Sequence, residues 1–398
     1  MKNRRFFQVL IWVLILVNML VAYAPSSAAD LIKADSIHEA RTASAQSSPT
    51  PTPDIPEDNP TGSYGATHFP ETINPLTGLP VSDTSLLERR PLAIKISNGP
   101  RGIRPQWGLS LADQVFEYFH ETGRTRFNAI FYGNNAKIAG PIRSARFADE
   151  AIVRMYKAFF AFGSADLRVL NQLWTAEFAD RLIYISDTPC PPSAEHPLCR
   201  IDPNGYNHLV TDTELLSEHF TQAGIPQQRQ NLDGLLFSTA IPENGESGES
   251  ATTRYSRSFY NRWEYDPVSG RYLRYQDKYD APTGSSDEEF EVLSDRLTDQ
   301  PIMADNVIIL LAEHAYFSRE PEMWEIGLLG SGKAYLFRDE QAYELDWVRA
   351  AESDLISLTY LDGSAFPLKP GNTWYQVIGM SSTINKEDGR WRFVHMTP

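Results

Sequence analysis

The sequence predicts an α/β or α+β N-terminal domain followed by a mostly antiparallel, β-rich C-terminal domain. Three observations carry that expectation. At 398 residues the chain exceeds one ordinary core and suits two domains with appendages. Between residues 71 and 230, alternating apolar runs are interleaved with runs at helical spacing, the mark of mixed strands and helices. From about Leu235 the runs become short, aromatic and punctuated by turns, as in an antiparallel sheet.

The N-terminus reads Met1-Lys2-Asn3-Arg4-Arg5 and then runs apolar from Phe6 to Ala24, interrupted by Gln8 and Asn18. That layout makes residues 1–29 a signal peptide or membrane anchor. Ala22-Tyr23-Ala24 would place Pro25 after the cut, whereas Ser27-Ala28-Ala29 ends in suitable small residues; uncut, the segment is long enough to span a bilayer once. No cysteine closely follows the run, which excludes a lipid-modified N-terminus. Residues 30–70 are rich in Ser, Thr, Ala and Pro, with Ser47 to Pro53 as the clearest low-complexity piece, and read as a disordered tether.

The first folded unit, residues 71–230, opens on the turn-rich Asn74-Pro75-Leu76-Thr77-Gly78. Leu92 to Ile96 predicts a strand, and Val115 to Glu121 with Arg126 to Tyr132 predicts a hairpin. Gly140-Pro141-Ile142-Arg143-Ser144-Ala145-Arg146, in which Ser144 suits a helix cap, then precedes a helix that puts Ala145, Ala148, Ala151, Ile152, Met155 and Tyr156 on one face. Further along come a strand over 158–162, a helix capped by Ser164, a strand over 182–185, and a helix from Asp212 to Gly224. In the second unit, residues 231–398, strands are expected at 259–265, 271–275, 306–311, 332–337, 355–360 and 374–378. The sole cysteines, Cys190 and Cys199, flank a Pro-rich loop, and an oxidising compartment would pair them. Such a bond contributes about 2.5–3 kcal/mol. A metal site with His196 would leave zinc short of a fourth ligand.

Charge excludes some functions. Residues 71–230 hold 16 Lys/Arg against 17 Asp/Glu, but residues 231–398 hold 15 against 28. The second half therefore repels polyanions, which argues against nucleic acid and against broad attachment to anionic lipid. Contact with a membrane is expected only through the N-terminal segment, and no metal or cofactor is implied.

Several stretches together resemble a known family. In the first half they are Asn74 to Pro80, Arg90-Pro91, Asn98, Arg104-Pro105-Gln106, Gly108-Leu109, Ala112-Asp113, Glu117, Thr125-Arg126-Phe127 and Gly140 to Arg146. In the second half they are Trp263, Tyr265-Asp266, Tyr272, Arg274, Asn306-Val307-Ile308, Ala334 to Arg338, Trp347 and Leu368 to Trp374. Spanning roughly residues 71–392, they resemble the YerB-like family of bacterial envelope proteins, whose founding members carry lipoprotein names and whose biochemical function is not established. The resemblance implies two successive domains and a place in the envelope. The chain departs from the family pattern in lacking a lipobox cysteine, in reading Ala161-Phe162-Gly163-Ser164 where relatives carry a His-Gly-Gly-Ser type run, and in the order Asn207-His208.

The motif at Gly140 to Arg146 supplies two guanidinium groups and a hydroxyl at a helix N-terminus, where unpaired N–H groups and the helix dipole favour anions. Arg143, Ser144 and Arg146, enlarged by Arg126 and Arg104 and lined by Asn98, Asn207 and His208, would bind an anionic cell-wall component. The alternative is an internal ion pair with Glu117 or Asp113. Glu117 as acid or base, with Ser144 or His208 assisting, would instead make a hydrolase or transferase of envelope polymers; yet no Gly-x-Ser-x-Gly elbow is present, and Glu117 and Glu121 lie about 13 Å apart by strand rise. A third reading is a scaffold with a purely structural Arg–carboxylate network. Trp263, Tyr265, Tyr272, Trp347 and Trp374 suit a core better than a groove, and the acidic run Asp287 to Glu291 suits a solvated surface.

Overall fold

The computed structural model describes residues 63–65 and 68–398, Tyr206 excepted. The expected signal segment, and most of the expected tether, lie outside these residues. Among the described residues the fold is mostly β, with three α-helices, and no helix is long and apolar enough to cross a membrane.

One large mixed sheet of twelve strands organises the molecule. The first half contributes β1 (Leu92–Ser97), β2 (Gln114–Phe119), β3 (Thr125–Phe131), β4 (Phe159–Phe162) and β5 (Leu182–Tyr184). Helices α1 (Phe147–Tyr156), α2 (Leu167–Thr175) and α3 (Thr213–Gln222) follow β3, β4 and β5 in chain order. The second half contributes β6 (Ser250–Arg254), β7 (Tyr260–Asp266), β8 (Arg271–Asp277), β9 (Asn306–Arg319), β10 (Glu322–Gly327), β11 (Gly330–Arg338), β12 (Gln341–Arg349), β13 (Thr373–Gly379), β14 (Thr383–Glu387) and β15 (Arg390–Val394).

The main path of the large sheet runs β12-β11-β9-β13-β2-β3-β1-β4-β5. Its join is β13, which pairs in parallel with β9 on one side and with β2 on the other, placing Gln376 opposite Glu117. Strands from both sides of residue 230 thus share one hydrogen-bonded sheet. A second, seven-stranded sheet has β8-β7-β6-β15-β14 in sequence, antiparallel except for the β6/β15 pair.

Alternation along β2 shows how the layers stack. Phe116 and Tyr118 face a core shared with Ile152 of α1 and Val169 of α2. Val115 and Phe119 face the other way, into a core with Trp263, Tyr272 and Phe393 of the second sheet and with Leu216 and Phe220 of α3. Because both faces are covered, β1 to β4 are buried along their whole length and read as nearly continuous apolar runs. Trp263, Tyr272, Trp347 and Trp374 are core residues, while Tyr265 is half-buried. Cys190 and Cys199 are joined by a disulfide.

Local caps differ from expectation in two places. Asp166, rather than Ser164, caps α2 by accepting from the Arg168 N–H, and Arg146 rather than Ser144 occupies the cap position of α1. Asp212 caps α3 as expected, accepting from the N–H groups of Glu214 and Leu215. The run Asp287 to Glu291 is not wholly solvated, since buried Glu288 takes Arg254 and Arg392 at 2.7 Å each.

Between the two sheets lies a polar clasp. Glu117 Oε2 accepts from Arg274 Nη2 at 2.8 Å, both side chains being essentially inaccessible. Asn98 and Thr125 donate to its other oxygen, and Asn261 and Gln376 exchange amide hydrogen bonds beside it. The Arg274 guanidinium also lies 4.5 Å from the Trp374 ring centre and 5.2 Å from that of Trp263. Removing one partner strands the other charge in the interior. Arg274→Met should therefore lower unfolding free energy by about 3–5 kcal/mol in urea titration, and the double variant Glu117→Gln/Arg274→Met should lose less.

A second buried pair ties down the C-terminus. His395 Nδ1 accepts from the Gly379 N–H at 3.0 Å, and His314 Nδ1 lies 3.0 Å from the Ala312 carbonyl, the rings being 5.0 Å apart. Burial pushes His314 down to about 4; burial and His314 push His395 down to about 3. The unfolded chain then binds more protons below the ordinary histidine value of about 6.5. Stability should be full above that pH and fall as pH drops towards 3, by up to about 1.4 kcal/mol per pH unit for each histidine, with a shallower slope in His314→Phe.

Candidate functional site

The Gly140 to Arg146 segment threads between β1, α3 and the start of α1 as extended backbone. Gly140 has φ +152, and a Cβ there would sit 3.0 Å from the Leu209 carbonyl oxygen, so only glycine fits without displacement. Most of the segment's N–H groups are already used. Gly140, Ile142, Arg143 and Ala145 donate to the carbonyls of Trp107, Leu209, Lys95 and Ser164, and Arg146 donates to Asp149 Oδ2 at 2.7 Å. Along this segment the backbone is therefore largely taken up by the protein's own groups, and an anion beside it is met chiefly by side chains.

Beneath that helix start lies a buried cluster that sequence reading missed. Lys95 Nζ donates to Asp149 Oδ1 at 3.1 Å and to the Tyr118 hydroxyl, which also donates to Asp149; Asn128 supplies a further bond of 2.8 Å. Burial pushes the Lys95 ammonium down to about 7 against the pull of Asp149. The only sequence signal was a lysine inside an otherwise apolar strand.

The arginines divide by partner. Arg146 forms a two-pronged pair with Glu121, one contact being 2.7 Å. Burial opposes ionisation of Glu121, yet His120 and Arg146 hold its carboxyl well below the usual carboxylate range. Arg104 takes Asp277 at 3.0 Å and the Asn98 carbonyl at 2.9 Å, so it belongs to the inter-sheet clasp rather than to a basic cleft. Glu117 meets Arg274. Asp113 accepts from the N–H groups of Tyr132 and Gly133 and from Asn74 at 2.8 Å, which gives the Asn74 motif a structural role. Neither Glu117 nor Asp113 is thus the partner of the motif's arginines.

Arg126 differs from these. It is 7% exposed, donates to the Ser144 carbonyl at 2.7 Å, and meets no carboxylate within ion-pair distance among the described residues. Burial, then the charges of Arg146 and Arg143, push it down to about 9. Arg126 and Arg143 line a cavity of about 410 Å³ with Arg101, Arg124, His120 and Phe259. Burial holds His120 well below its ordinary value, hence neutral. Arg101 is engaged by Asp277 and Asp280 at 2.6 and 2.8 Å.

Arg143 also lines a second cavity, of about 300 Å³, with Ser144, Ser164, Asn207 and Arg200. The two serine hydroxyls lie 3.0 Å apart. His208 does not line it; its Nδ1 stands 3.7 Å from Asp202 at the surface. Nor does any histidine among the described residues hydrogen-bond Ser144, and Glu117 is enclosed elsewhere, so the structure does not bring Glu117, Ser144 and His208 together. Both cavities lie at the carboxyl ends of parallel-paired strands β1, β4 and β5, through Gly99, Ser164 and Ile185, where open α/β sheets commonly take ligands.

A sheet joined across both halves, with an arginine-lined cleft, places the chain in a class of two-part proteins defined by sequence. Residues 76–189 match the N-terminal domain of DUF3048, a protein of unknown function, and residues 251–375 match its C-terminal domain; the chain belongs to this family. It is 28% identical over 326 residues to a protein of Bacillus subtilis strain 168 named "Putative lipoprotein YerB", covering 79% of this chain and 89% of that one. The crystal structure of the YerB protein from Bacillus subtilis is similar at a TM-score of 0.64 and 27% identity, over 77% of this chain and 96% of that one. Both cysteines of the present chain are committed to its disulfide, so neither is available for a lipid.

If Arg146 holds Glu121 ionised, Arg146→Ala should move the Glu121 carboxyl upwards towards its ordinary value of about 4.3, read by NMR titration. The same change should cost about 1 kcal/mol of stability.

Proposed function

We propose that the protein is an exported component of the cell envelope that binds an anionic ligand, a carboxylate or phosphate of a wall component, in the cavity lined by Arg126 and Arg143. The observation that carries this reading is the state of Arg126. A buried guanidinium without a carboxylate partner, beside two more guanidinium groups, is an electrostatic cost that an incoming anion would relieve. A planar fork facing a cavity suits bidentate capture of carboxylate or phosphate. The N-terminal apolar run and the lipoprotein name of the Bacillus relative support an extracytoplasmic location. The helical first part and the β-rich second part would act as one body, since the cavity draws on both through Arg126 and Phe259.

The scaffold reading has its own support in the Glu117–Arg274 and Lys95–Asp149 pairs, which are wholly internal. Arg126 separates the two. Arg126→Gln should weaken binding of acetate and of inorganic phosphate at least about tenfold, while leaving the melting temperature unchanged or raised, because it removes an unpaired buried cation. Unchanged affinity with a lowered melting temperature would sink the binding reading.

A further inference from the structure

We infer that the protein has a second, separate anion-binding site, in a cavity of about 570 Å³ lined by Arg90, Lys157 and Arg181, which takes a phosphate or carboxylate group of a larger ligand. It does not rest on the reading given to the Arg126 cavity and goes beyond it.

Sheet register gathers the three cations. Arg90 stands two residues before β1, Lys157 two before β4 and Arg181 immediately before β5. These strands pair in parallel, Leu92 lying opposite Phe159 and Phe160 opposite Leu182, so their starts lie side by side although far apart in sequence. The cavities described above open at the carboxyl ends of the same strands. The six residues of β1, about 20 Å by strand rise, thus stand between the two sites.

Arg181 carries the inference. It is 9% exposed, its guanidinium lies 5.4 Å from the Phe178 ring centre, and it makes no hydrogen bond and no ion pair among the described residues. A guanidinium so enclosed, with donors that nothing accepts from, is costly until an acceptor reaches it. Burial, with the Arg90 charge adding to it, pushes Arg181 down to about 10. Its neighbours are satisfied only by neutral oxygens. Arg90 donates to the carbonyls of Pro226 and Lys157 at 3.2 and 3.0 Å and to Gln230 Oε1 at 2.9 Å, and Lys157 donates to those of Asn231 and Ser353 at 2.7 and 2.8 Å. Of the carboxylates on the rim, Glu177 and Glu352 turn to Arg154 at 3.1 and 3.5 Å, and exposed Asp180 forms no ion pair among the described residues. The C-terminal end of α1 also favours cations, yet Arg181 donates to none of its carbonyls. The missing acceptor therefore comes from outside, and an oxyanion matches the guanidinium fork. Ile225 and Pro226 add an apolar wall, and the volume is that of a site for a small molecule rather than for one bare ion.

The test titrates inorganic phosphate and, separately, acetate into the full chain and its Arg181→Gln, Asp180→Asn and Arg126→Gln variants, reading NMR shifts of the backbone amides around each cavity. At least one probe should shift the amides beside Arg90, Lys157 and Arg181 saturably; phosphate alone marks a phosphate source and acetate alone a carboxylate. Arg181→Gln should weaken that binding at least about tenfold, leave the response around Arg126 unchanged, and keep or raise the melting temperature, because an unpaired buried cation is removed. Asp180→Asn takes away the one unpaired carboxylate of the rim and should tighten binding about twofold to threefold, a gain that misfolding does not produce. Silence of these amides with both probes, affinity unchanged in Arg181→Gln, or no tightening in Asp180→Asn would each overturn the second site. Loss of the response around Arg126 in Arg126→Gln, with this one retained, is the expected sign that the two sites are separate; loss of both together would overturn that separation.

Discussion

The pairing of Glu117 with Arg274 is the constraint around which the molecule is arranged. Glu117 comes from the middle of β2 and Arg274 from β8, so the bond ties the large sheet to the second sheet at a point sealed from water. A carboxylate there is tolerable only if each oxygen is supplied, and Asn98, Thr125 and Asn261 supply them. Those residues in turn fix local backbone. Asn98 closes the end of β1 and passes its carbonyl to Arg104, which reaches Asp277 beside Arg274. Through this chain of contacts the rim of the first cavity, from Gly99 to Arg101, is held against β8 and Phe259.

Two buried polar systems therefore lie on opposite faces of the same sheet with opposite character. On the second-sheet side each buried charge has an opposite partner. On the α1 side, Lys95, Arg126, Arg143 and Arg146 face Asp149 and Glu121, and burial, with the neighbouring guanidinium charges adding to it, lowers the proton affinity of Lys95 and Arg126. Positive charge concentrated under a helix start is opposed by the helix dipole, so it is not there to stabilise α1. Asp149 offsets part of it by accepting from the Arg146 N–H and from Lys95.

Much of the fold was legible. An apolar run marked β1, alternation marked β2 and β3, and helical spacing marked α1, because burial imposes those patterns directly. What periodicity does not encode is which strands pair across long separations, so the two-part layout was legible but the insertion of β13 beside β2 was not. The same limit governed the site. The sequence singled out Arg126, Arg143, Ser144 and Asn207, which do gather on adjoining cavities. As the alternative to a ligand it offered Glu117 or Asp113 as internal partners for the motif's arginines. The hairpin turn instead brings Glu121 to Arg146, while Glu117 points through the sheet to a residue 157 positions away. Ser144 and Ser164 looked like helix caps for want of any signal that Arg146 and Asp166 fill those places.

The position of β13 also bears on how the chain acquires its structure. Gln114 pairs with Thr373, so the neighbour that completes β2 is synthesised long after it. Closing a loop of that span costs on the order of 5 kcal/mol in chain entropy before the ladder repays it. Until then β2 presents an unpaired apolar edge, open to pairing with another chain. Assembly is consequently late and cooperative: a nascent chain ending before residue 373 holds every described helix and both cysteines, yet lacks the strand that unites its sheet.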